Sequence, residues 1–143
     1  AASDVYKRQE LDTSFIINKL KSEKKNIIVP KISNNELVHI AINDKTEFSI
    51  NEYDIEEPNN GNSFIIENLD LIFIPLLAYD LEGHRVGYGM GYYDKFLKLT
   101  NKSSLKIGLS FFDPINKIQD IDDNDVKLDY CITPTQVHKF DHI

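Results

Sequence analysis

The chain has 143 residues, of which 41% are hydrophobic and 27% charged, the balance of an ordinary globular domain with its own core. Its formal net charge of −7 argues against a general nucleic-acid-binding protein, which needs a basic face to neutralise phosphates. No apolar run in the sequence approaches the length of a membrane-spanning helix. The single cysteine, Cys131, excludes an internal disulfide and a cysteine-ligated metal site, and it predicts a reducing, cytoplasmic location.

Residues 1–9 have neither apolar periodicity nor the apolar core of a signal peptide, and no initiator methionine precedes them. We predict that this stretch is non-native or disordered and is joined to an N-terminally truncated gene; a ragged native terminus is the alternative. No internal repeat, proline-rich linker or low-complexity tract interrupts the rest of the chain. Residues 10–143 are therefore predicted to form a single domain, and we expect a monomer.

The spacing of apolar residues predicts strands separated by helices. In the N-terminal half the first predicted element is a helix from Asp12 or Thr13 to about Lys25, with Phe15, Ile16 and Leu20 on one face. A buried strand over 26–30, ended by its proline, and a half-exposed strand over 36–42 follow it. The stretch over 43–62 is predicted to be a polar connection with a fixed turn at 56–58. In the C-terminal half they are a central buried strand over 69–77, a loop over 78–91, a helix over 92–99, a buried strand over 105–111, a loop or short helix over 113–123 and a last strand over 130–133. This alternation predicts an α/β fold with a parallel sheet.

A glycine-rich loop is the strongest functional signal, because four of the six glycines fall between positions 83 and 91. Alternate glycines let backbone N–H groups approach a ligand, and the helix that follows offers its positive N-terminal end to an anion such as phosphate. Arg85 lies at the loop entry, in a chain with only one other arginine, and its guanidinium can clamp phosphate oxygens. The spacing fits neither a dinucleotide fingerprint nor a Walker loop. A simple tight turn is the alternative.

Asp94 lies in the first turn of the helix predicted after this loop. Its carboxylate either only complements the positive helix end or faces Mg²⁺, which binds one or two carboxylates together with substrate phosphates. We predict the metal role, because a carboxylate beside an anion-binding loop is favourable mainly when a cation lies between them. The acidic run at 120, 122, 123 and 125 is interpreted mostly as a solvated loop.

Aromatic, histidine and cysteine side chains complete the candidates. Tyr88, Tyr92 and Tyr93 cluster at the loop and can stack on a planar heterocycle, with ordinary packing as the alternative. The histidines have no metal-ligand spacing, so all four are predicted to lie at the surface. Cys131 is predicted to be a small buried apolar residue.

The segment from Leu71 to Asp94 resembles the signature of the 5-formyltetrahydrofolate cyclo-ligase family, also called methenyltetrahydrofolate synthetases. Its residues 85–94 read RVGYGMGYYD, which matches the long and specific family pattern R-(L/V)-G-x-G-x-G-Y-Y-D. The resemblance extends over about residues 10–135, with further matches at 10–13, 29–30, 57–58, 124–129 and 132–134.

This resemblance implies ATP- and Mg²⁺-dependent cyclisation of 5-formyltetrahydrofolate to 5,10-methenyltetrahydrofolate, with release of ADP and phosphate. It also implies a three-layer α/β/α fold with a mainly parallel sheet, related to sugar-phosphate isomerases and CoA transferases. The expected partners are these small-molecule substrates, with no nucleic acid and no membrane.

The resemblance also assigns site residues. Arg85 and Tyr92 are the expected catalytic residues, and Asp94 and Asp125 are the expected Mg²⁺ ligands. The phosphates of ATP are expected to contact Arg85, Val86, Gly87, Tyr88, Gly89, Met90, Gly91, Tyr92 and Tyr93. The folate is expected to contact Tyr88, Gly89, Met90, Gly91, Tyr92 and Glu10, the last at its pterin.

One departure from the family leaves alternatives open. Members begin with a helical segment whose Lys and Arg side chains help to bind ATP, whereas the match in this chain starts at Glu10. A non-catalytic folate- or nucleotide-binding remnant is therefore the main alternative to the ligase. An isomerase-like enzyme that acts on a sugar phosphate is a weaker one, because the glycine-rich loop is not the signature of that group.

Overall fold

The computed structural model describes residues 12–86, 92–119, 121 and 125–141, and of Tyr92 and Tyr93 only the backbone. The described chain forms two compact units, Asp12–Asn68 and the part that begins at Leu69. The predicted single domain over 10–143 stays a prediction, and residues 1–9 lie outside the described residues. No helix within the described ranges is long and apolar enough to cross a membrane.

The first unit begins with helix α1 (Ser14–Ser22), which is shorter than predicted. Thr13 is its N-cap residue but makes no side-chain capping bond; the Ser14 N–H instead donates to Asp12 Oδ1 at 2.9 Å. This hydrogen bond lowers the pKa of Asp12. The helix ends before Lys24, which has a φ of 60°, outside the helical region. No residue of this helix is buried, and Phe15 of its predicted apolar face is 78% exposed.

Strands β1 (Ile27–Ser33) and β2 (Glu36–Ile42) form an antiparallel hairpin. The two turn residues, Asn34 and Asn35, have φ values of 51° and 62°, as the tight turns that match strand twist require. Pro30 does not end β1 as predicted, but lies within it, opposite His39. Only Ile27 of β1 is buried, so the prediction of a buried strand is wrong, whereas the half-exposed β2 is confirmed.

The predicted polar connection contains two further strands, β3 (Phe48–Ile50) and β4 (Glu56–Pro58), which pair antiparallel. The predicted turn at 56–58 is therefore wrong. Polar side chains join β4 to β1, because Glu57 Oε2 accepts the Ile32 N–H at 2.8 Å and Lys31 Nζ donates to the Pro58 carbonyl at 2.9 Å. A 3-10 turn over Ile66–Asn68 closes this unit.

The second unit holds the remaining elements. They are β5 (Leu71–Pro75), β6 (Ala78–Tyr79), β7 (Arg85–Val86), α2 (Tyr92–Leu99), β8 (Leu105–Leu109), β9 (Tyr130–Ile132) and β10 (Val137–Lys139). Within the described chain one sheet has the order β10-β9-β8-β5, and β6 and β7 form a separate antiparallel hairpin. Strand β8 runs parallel to both β5 and β9, while β10 is antiparallel to β9. The predicted α/β class is confirmed, with a mixed sheet.

Three predictions for this unit need correction. The run 69–77 gives the edge strand β5 of the described sheet, not a central one, and its exposure alternates, with Leu71 39% exposed and Ile74 buried. The predicted loop over 78–91 contains the β6–β7 hairpin. Strand β10 was not predicted. The helix over 92–99 and the strands β8 and β9 are confirmed.

The core of this unit is built from strands β5, β8 and β9, from helix α2 and from the loops beside them. Ile74, Leu128 and Cys131 have no exposed surface, which confirms the buried cysteine. Gly108 of β8 lets them pack closely, because a Cβ at this position would lie 2.7 Å from Leu76 Cδ2. Since β5 and β8 are parallel, the segments that follow them leave the same edge of the sheet, and one of these segments carries Arg85.

Candidate functional site

A pocket of about 600 Å³ lies in the second unit. Its lining combines two cations, two carboxylates, one amide and three apolar side chains: Arg85, Lys117, Asp94, Asp125, Gln119, Val86, Ile115 and Ile118. The β6–β7 hairpin, the first turn of α2 and the loops at 115–119 and 125 supply these side chains. Mixed charge with apolar patches is typical of a site for a ligand that carries both charged and planar parts.

Arg85 is a nearly enclosed charge of this pocket, with only 5% of its side chain exposed. Its backbone position is set by pairing with Tyr79 across the hairpin. One terminal nitrogen, Nη2, donates to Asp94 Oδ1 at 2.7 Å. The buried Nε has no hydrogen-bond partner among the described residues. Leaving such a donor unpaired costs roughly 1–3 kcal/mol, and an anion in the pocket can supply the acceptor.

Asp94 lies in the first turn of α2, as predicted, and about half of its side chain is exposed. The structure places Asp94 and Asp125 in the lining of the same pocket. No cluster of three or more potential metal ligands occurs within the part of the chain that the structure describes. Two carboxylates fit Mg²⁺, because this ion takes one or two from the protein and its other ligands from phosphates and water. Their metal role stays a prediction.

Several predicted site residues lie outside the described residues. They are Glu10, Gly87, Tyr88, Gly89, Met90 and Gly91, and the acidic residues 120, 122 and 123. Of Tyr92 and Tyr93 the structure gives the backbone, which forms the start of α2. Their predicted contacts with ATP and folate stay predictions, while Arg85 and Val86 lie in the pocket.

The prediction of a surface position for His84 is wrong. His84 is 8% exposed, and its Nδ1 lies 3.1 Å from Oδ2 of Asp80, a carboxylate with no exposed surface. Asp80 Oδ1 accepts the N–H groups of Glu82 and His84 at 2.9 and 3.0 Å, and Oδ2 accepts the Ile118 N–H at 3.1 Å. Burial alone would raise the pKa of Asp80, but these donors outweigh it and lower the pKa.

A sequence signal for this network exists. Asp80 and Gly83 occupy the first and fourth positions of a tight turn, where these two residue types are favoured, and Gly83 has a φ of 91°. The Gly83 N–H donates to the Asp80 carbonyl at 3.2 Å. Lys117 and Gln119 carried no such signal, since single exposed polar residues in a loop have no spacing that indicates a site.

Comparisons with known proteins agree with the resemblance found in the sequence. The sequence profile described as the 5-formyltetrahydrofolate cyclo-ligase family matches residues 4–134. A 5-formyltetrahydrofolate cyclo-ligase of Mycoplasma genitalium is 48% identical over 52 residues, and one of Haemophilus influenzae is 32% identical over 108 residues. The NMR structure of Aquifex aeolicus 5,10-methenyltetrahydrofolate synthetase superimposes with a TM-score of 0.76 at 30% identity.

The matched regions differ in extent. They cover 36% of this chain and 32% of the Mycoplasma genitalium protein, and 71% of this chain and 58% of the Haemophilus influenzae protein. The Aquifex aeolicus match covers 91% of this chain and 66% of that structure. The chain thus spans less than two thirds of the length of each of these three proteins.

Proposed function

Because the chain belongs to the 5-formyltetrahydrofolate cyclo-ligase family, we propose that it converts 5-formyltetrahydrofolate to 5,10-methenyltetrahydrofolate with ATP as co-substrate. The observation that supports this proposal best is the burial of Arg85 and its unpaired Nε donor. A nearly enclosed guanidinium with one unpaired donor lines a pocket that also contains a lysine and two carboxylates. Such a pocket is suited to a polyphosphate that arrives with a divalent cation.

The reaction needs activation of a formamide, which is a poor electrophile with a poor leaving group. In the proposed route the formyl oxygen attacks the γ-phosphorus of ATP, and the bond from that phosphorus to the ADP oxygen breaks. N10 of the folate then attacks the formyl carbon and loses its proton, and phosphate departs with the formyl oxygen. The protein mainly has to align the two substrates and stabilise the negative charge that spreads over the transferred group.

Arg85 is proposed to bind the transferred phosphoryl group. Its Nε–H and its remaining terminal N–H groups can donate to phosphate oxygens while Nη2 stays on Asp94. Lys117, on a separate lining segment, adds a second positive charge. The backbone N–H groups of 87–91 and the side chain of Tyr92 complete the proposed set of ATP contacts, and Glu10 is proposed to contact the pterin.

Mg²⁺ is part of the proposal, with Asp94 and Asp125 as its protein ligands. When bound, the ion would neutralise charge on the phosphates of ATP. The donor chemistry fits, since both groups are carboxylates in one pocket and Asp94 offers Oδ2 besides the Oδ1 that accepts from Arg85. Arg85 thereby also fixes the side-chain rotamer of a proposed metal ligand.

The finer features of fold and location belong to the same proposal. We propose the three-layer arrangement related to sugar-phosphate isomerases and CoA transferases, supported by the parallel strands β5, β8 and β9. Residues 10–143 are proposed to act as one cyclo-ligase-like domain and as a monomer. A cytoplasmic location is supported by the free, buried thiol of Cys131.

The experiment is to incubate the chain with 5-formyltetrahydrofolate and Mg²⁺ and to follow the absorbance of the methenyl product. Turnover that requires ATP and releases ADP in equal amount supports the proposal. Arg85→Lys serves as the site variant, and Lys98→Arg, an exchange at an exposed position of α2, is its matched control. Binding of ATP and folate without turnover would overturn the catalytic proposal and favour the binding remnant.

A further inference from the structure

Asp80 is not among the residues that line the pocket, yet it contacts two separate segments of the lining. Through Oδ1 it accepts from the backbone of the hairpin turn that immediately precedes Arg85. Through Oδ2 it accepts the N–H of Ile118, 38 positions along the chain. One buried carboxylate therefore joins the Arg85 segment to the Ile115–Gln119 segment.

The backbone around Asp80 strengthens this junction. The Ile115 N–H donates to the Tyr79 carbonyl at 2.9 Å, and Asp80 and Ile115 form an isolated parallel bridge. The imidazole of His84 lies against Oδ2 of Asp80 at 3.1 Å. Of these contacts only those to the Asp80 carboxylate involve a side chain, so they are the part of the junction that a substitution can remove.

We propose that Asp80, with His84, is a positioning residue that holds the segment of Arg85 at a fixed distance from the segment of Lys117 in the pocket lining. This inference rests on the proposed function, in which both cations face the phosphates of ATP. A cation that is displaced by 1 Å loses much of its hydrogen-bond geometry, so affinity for the polyphosphate depends on the spacing of the two segments. The folate contacts predicted from the sequence involve neither cation, so the affinity for folate depends less on the spacing of the two segments.

The main test variant is Asp80→Asn, which has nearly the same shape but replaces one acceptor oxygen by an NH₂ group. That group faces backbone donors, so at least one junction bond is lost. We expect the KM for ATP to rise about tenfold while the KM for 5-formyltetrahydrofolate changes less than twofold. A role only in stability would lower the active fraction, and hence the apparent kcat, without a change in either KM.

The matched control is Asp129→Asn. Asp129 Oδ2 also accepts a backbone N–H, that of Lys106 at 2.9 Å, but Asp129 does not line the pocket. Its variant is expected to lower the melting temperature while the KM for ATP is unchanged. If Asp80→Asn does not fold, two variants of His84 test the same role. His84→Leu removes the ring donor and should raise the KM for ATP. His84→Asn keeps a donor near the position of Nδ1 and should restore the KM for ATP towards the wild-type value.

A spectroscopic measurement tests the positioning independently of turnover. The buried Nε–H of Arg85 is protected from water, and its NMR signal is assigned by comparison with Arg85→Lys, because Arg8 is the only other arginine. We expect Asp80→Asn to shift this signal and to speed exchange of the Ile118 amide, and Asp129→Asn to do neither.

The outcomes separate the two proposals. If the wild-type chain turns over, an equal KM for ATP in Asp80→Asn and Asp129→Asn overturns the positioning role. If the wild-type chain does not turn over, the proposed function fails, and the NMR comparison decides the positioning role by itself. An unchanged Arg85 signal in Asp80→Asn then overturns it, and a shifted signal supports it.

Discussion

Arg85 Nη2 and Asp94 Oδ1 lie 2.7 Å apart, so a strand residue and a residue of the first turn of α2 form an ion pair across nine positions. The pair is asymmetric, since the arginine side chain is almost completely enclosed and the aspartate is half-exposed. Removing the exposed partner therefore leaves a buried charge without its counter-ion. This asymmetry determines what substitutions at the two positions are expected to do.

Asp94→Asn is expected to reduce ATP-dependent turnover by about 100-fold and to raise the Mg²⁺ concentration needed for half-maximal rate, because a proposed metal ligand loses its charge. The free energy of unfolding should also fall by on the order of 1–2 kcal/mol, less than for a fully buried pair because Asp94 is half-exposed. Steady-state kinetics over a Mg²⁺ series and urea unfolding measure the two effects. The control is Asp44→Asn, at a side chain that is 94% exposed. Wild-type kinetics in Asp94→Asn would exclude the metal role and leave only the contact with Arg85.

Arg85→Lys keeps the positive charge but removes the planar fork and the Nε donor. We expect kcat/KM for ATP to fall by about 10- to 100-fold, the loss typical of one or two charge-assisted hydrogen bonds. A shorter reach also weakens the pair with Asp94, so a modest decrease in melting temperature is expected as well. Titration of the kinetics with ATP and a thermal melt test both effects, with Lys98→Arg as control. Unchanged kinetics would mean that phosphate binding depends on other groups.

The sequence predicted local features of this site better than its contacts. The helix that begins at Tyr92, the position of Asp94 in its first turn and the strand β8 are local consequences of apolar spacing and helix-end chemistry. The pair between Arg85 and Asp94 depends on how the chain folds back, which no local pattern encodes. The same holds for β5: a continuous apolar run predicts a buried strand but cannot tell whether one or two strands lie beside it.

The prediction for His84 is wrong for a different reason from that for β5. A lone histidine without metal spacing predicts a surface residue, but His84 is buried against the carboxylate of Asp80. The turn signal, Asp80 followed by Gly83, is present in the sequence, but these residues lie beside the glycine-rich loop and are interpreted as part of it. The contact of Asp80 with Ile118 spans 38 positions and could only be found in the structure.

Cys131 is expected to be unreactive in the folded protein. Burial raises the pKa of its thiol to about 11, with a smaller opposing effect from a hydrogen bond with Tyr79. At pH 8 about one thiol in a thousand is then ionised in the folded state, against about a quarter at the unfolded value of ~8.5. A disulfide reagent at pH 8 should therefore react only as fast as the protein unfolds, and urea should accelerate it. Rapid reaction of the folded chain would contradict the buried position.

The same shift predicts a dependence of stability on pH. The pKa of the Cys131 thiol is higher in the folded than in the unfolded state. The contribution of this thiol to the free energy of unfolding is therefore complete below about pH 8.5 and is lost as the pH rises towards about 11. Cys131→Ala lacks this titration, so the difference in free energy of unfolding between wild type and variant should shrink over that range. Urea unfolding of both proteins at several pH values measures it. A constant difference would contradict the raised pKa.

Gly83→Ala is expected to destabilise the fold by about 1–3 kcal/mol, because a side chain at this position meets two separate obstacles. Its φ of 91° is a conformation that residues with a Cβ rarely adopt, and an added Cβ would lie 2.9 Å from the Leu128 carbonyl oxygen. That oxygen belongs to the backbone and cannot rotate away as a side chain could. An exposed residue two positions earlier provides the control, since Leu81→Ala should change the free energy of unfolding by less than about 0.5 kcal/mol. Urea unfolding of both variants gives the comparison. Equal stability of the two would mean that the turn before Arg85 tolerates other conformations.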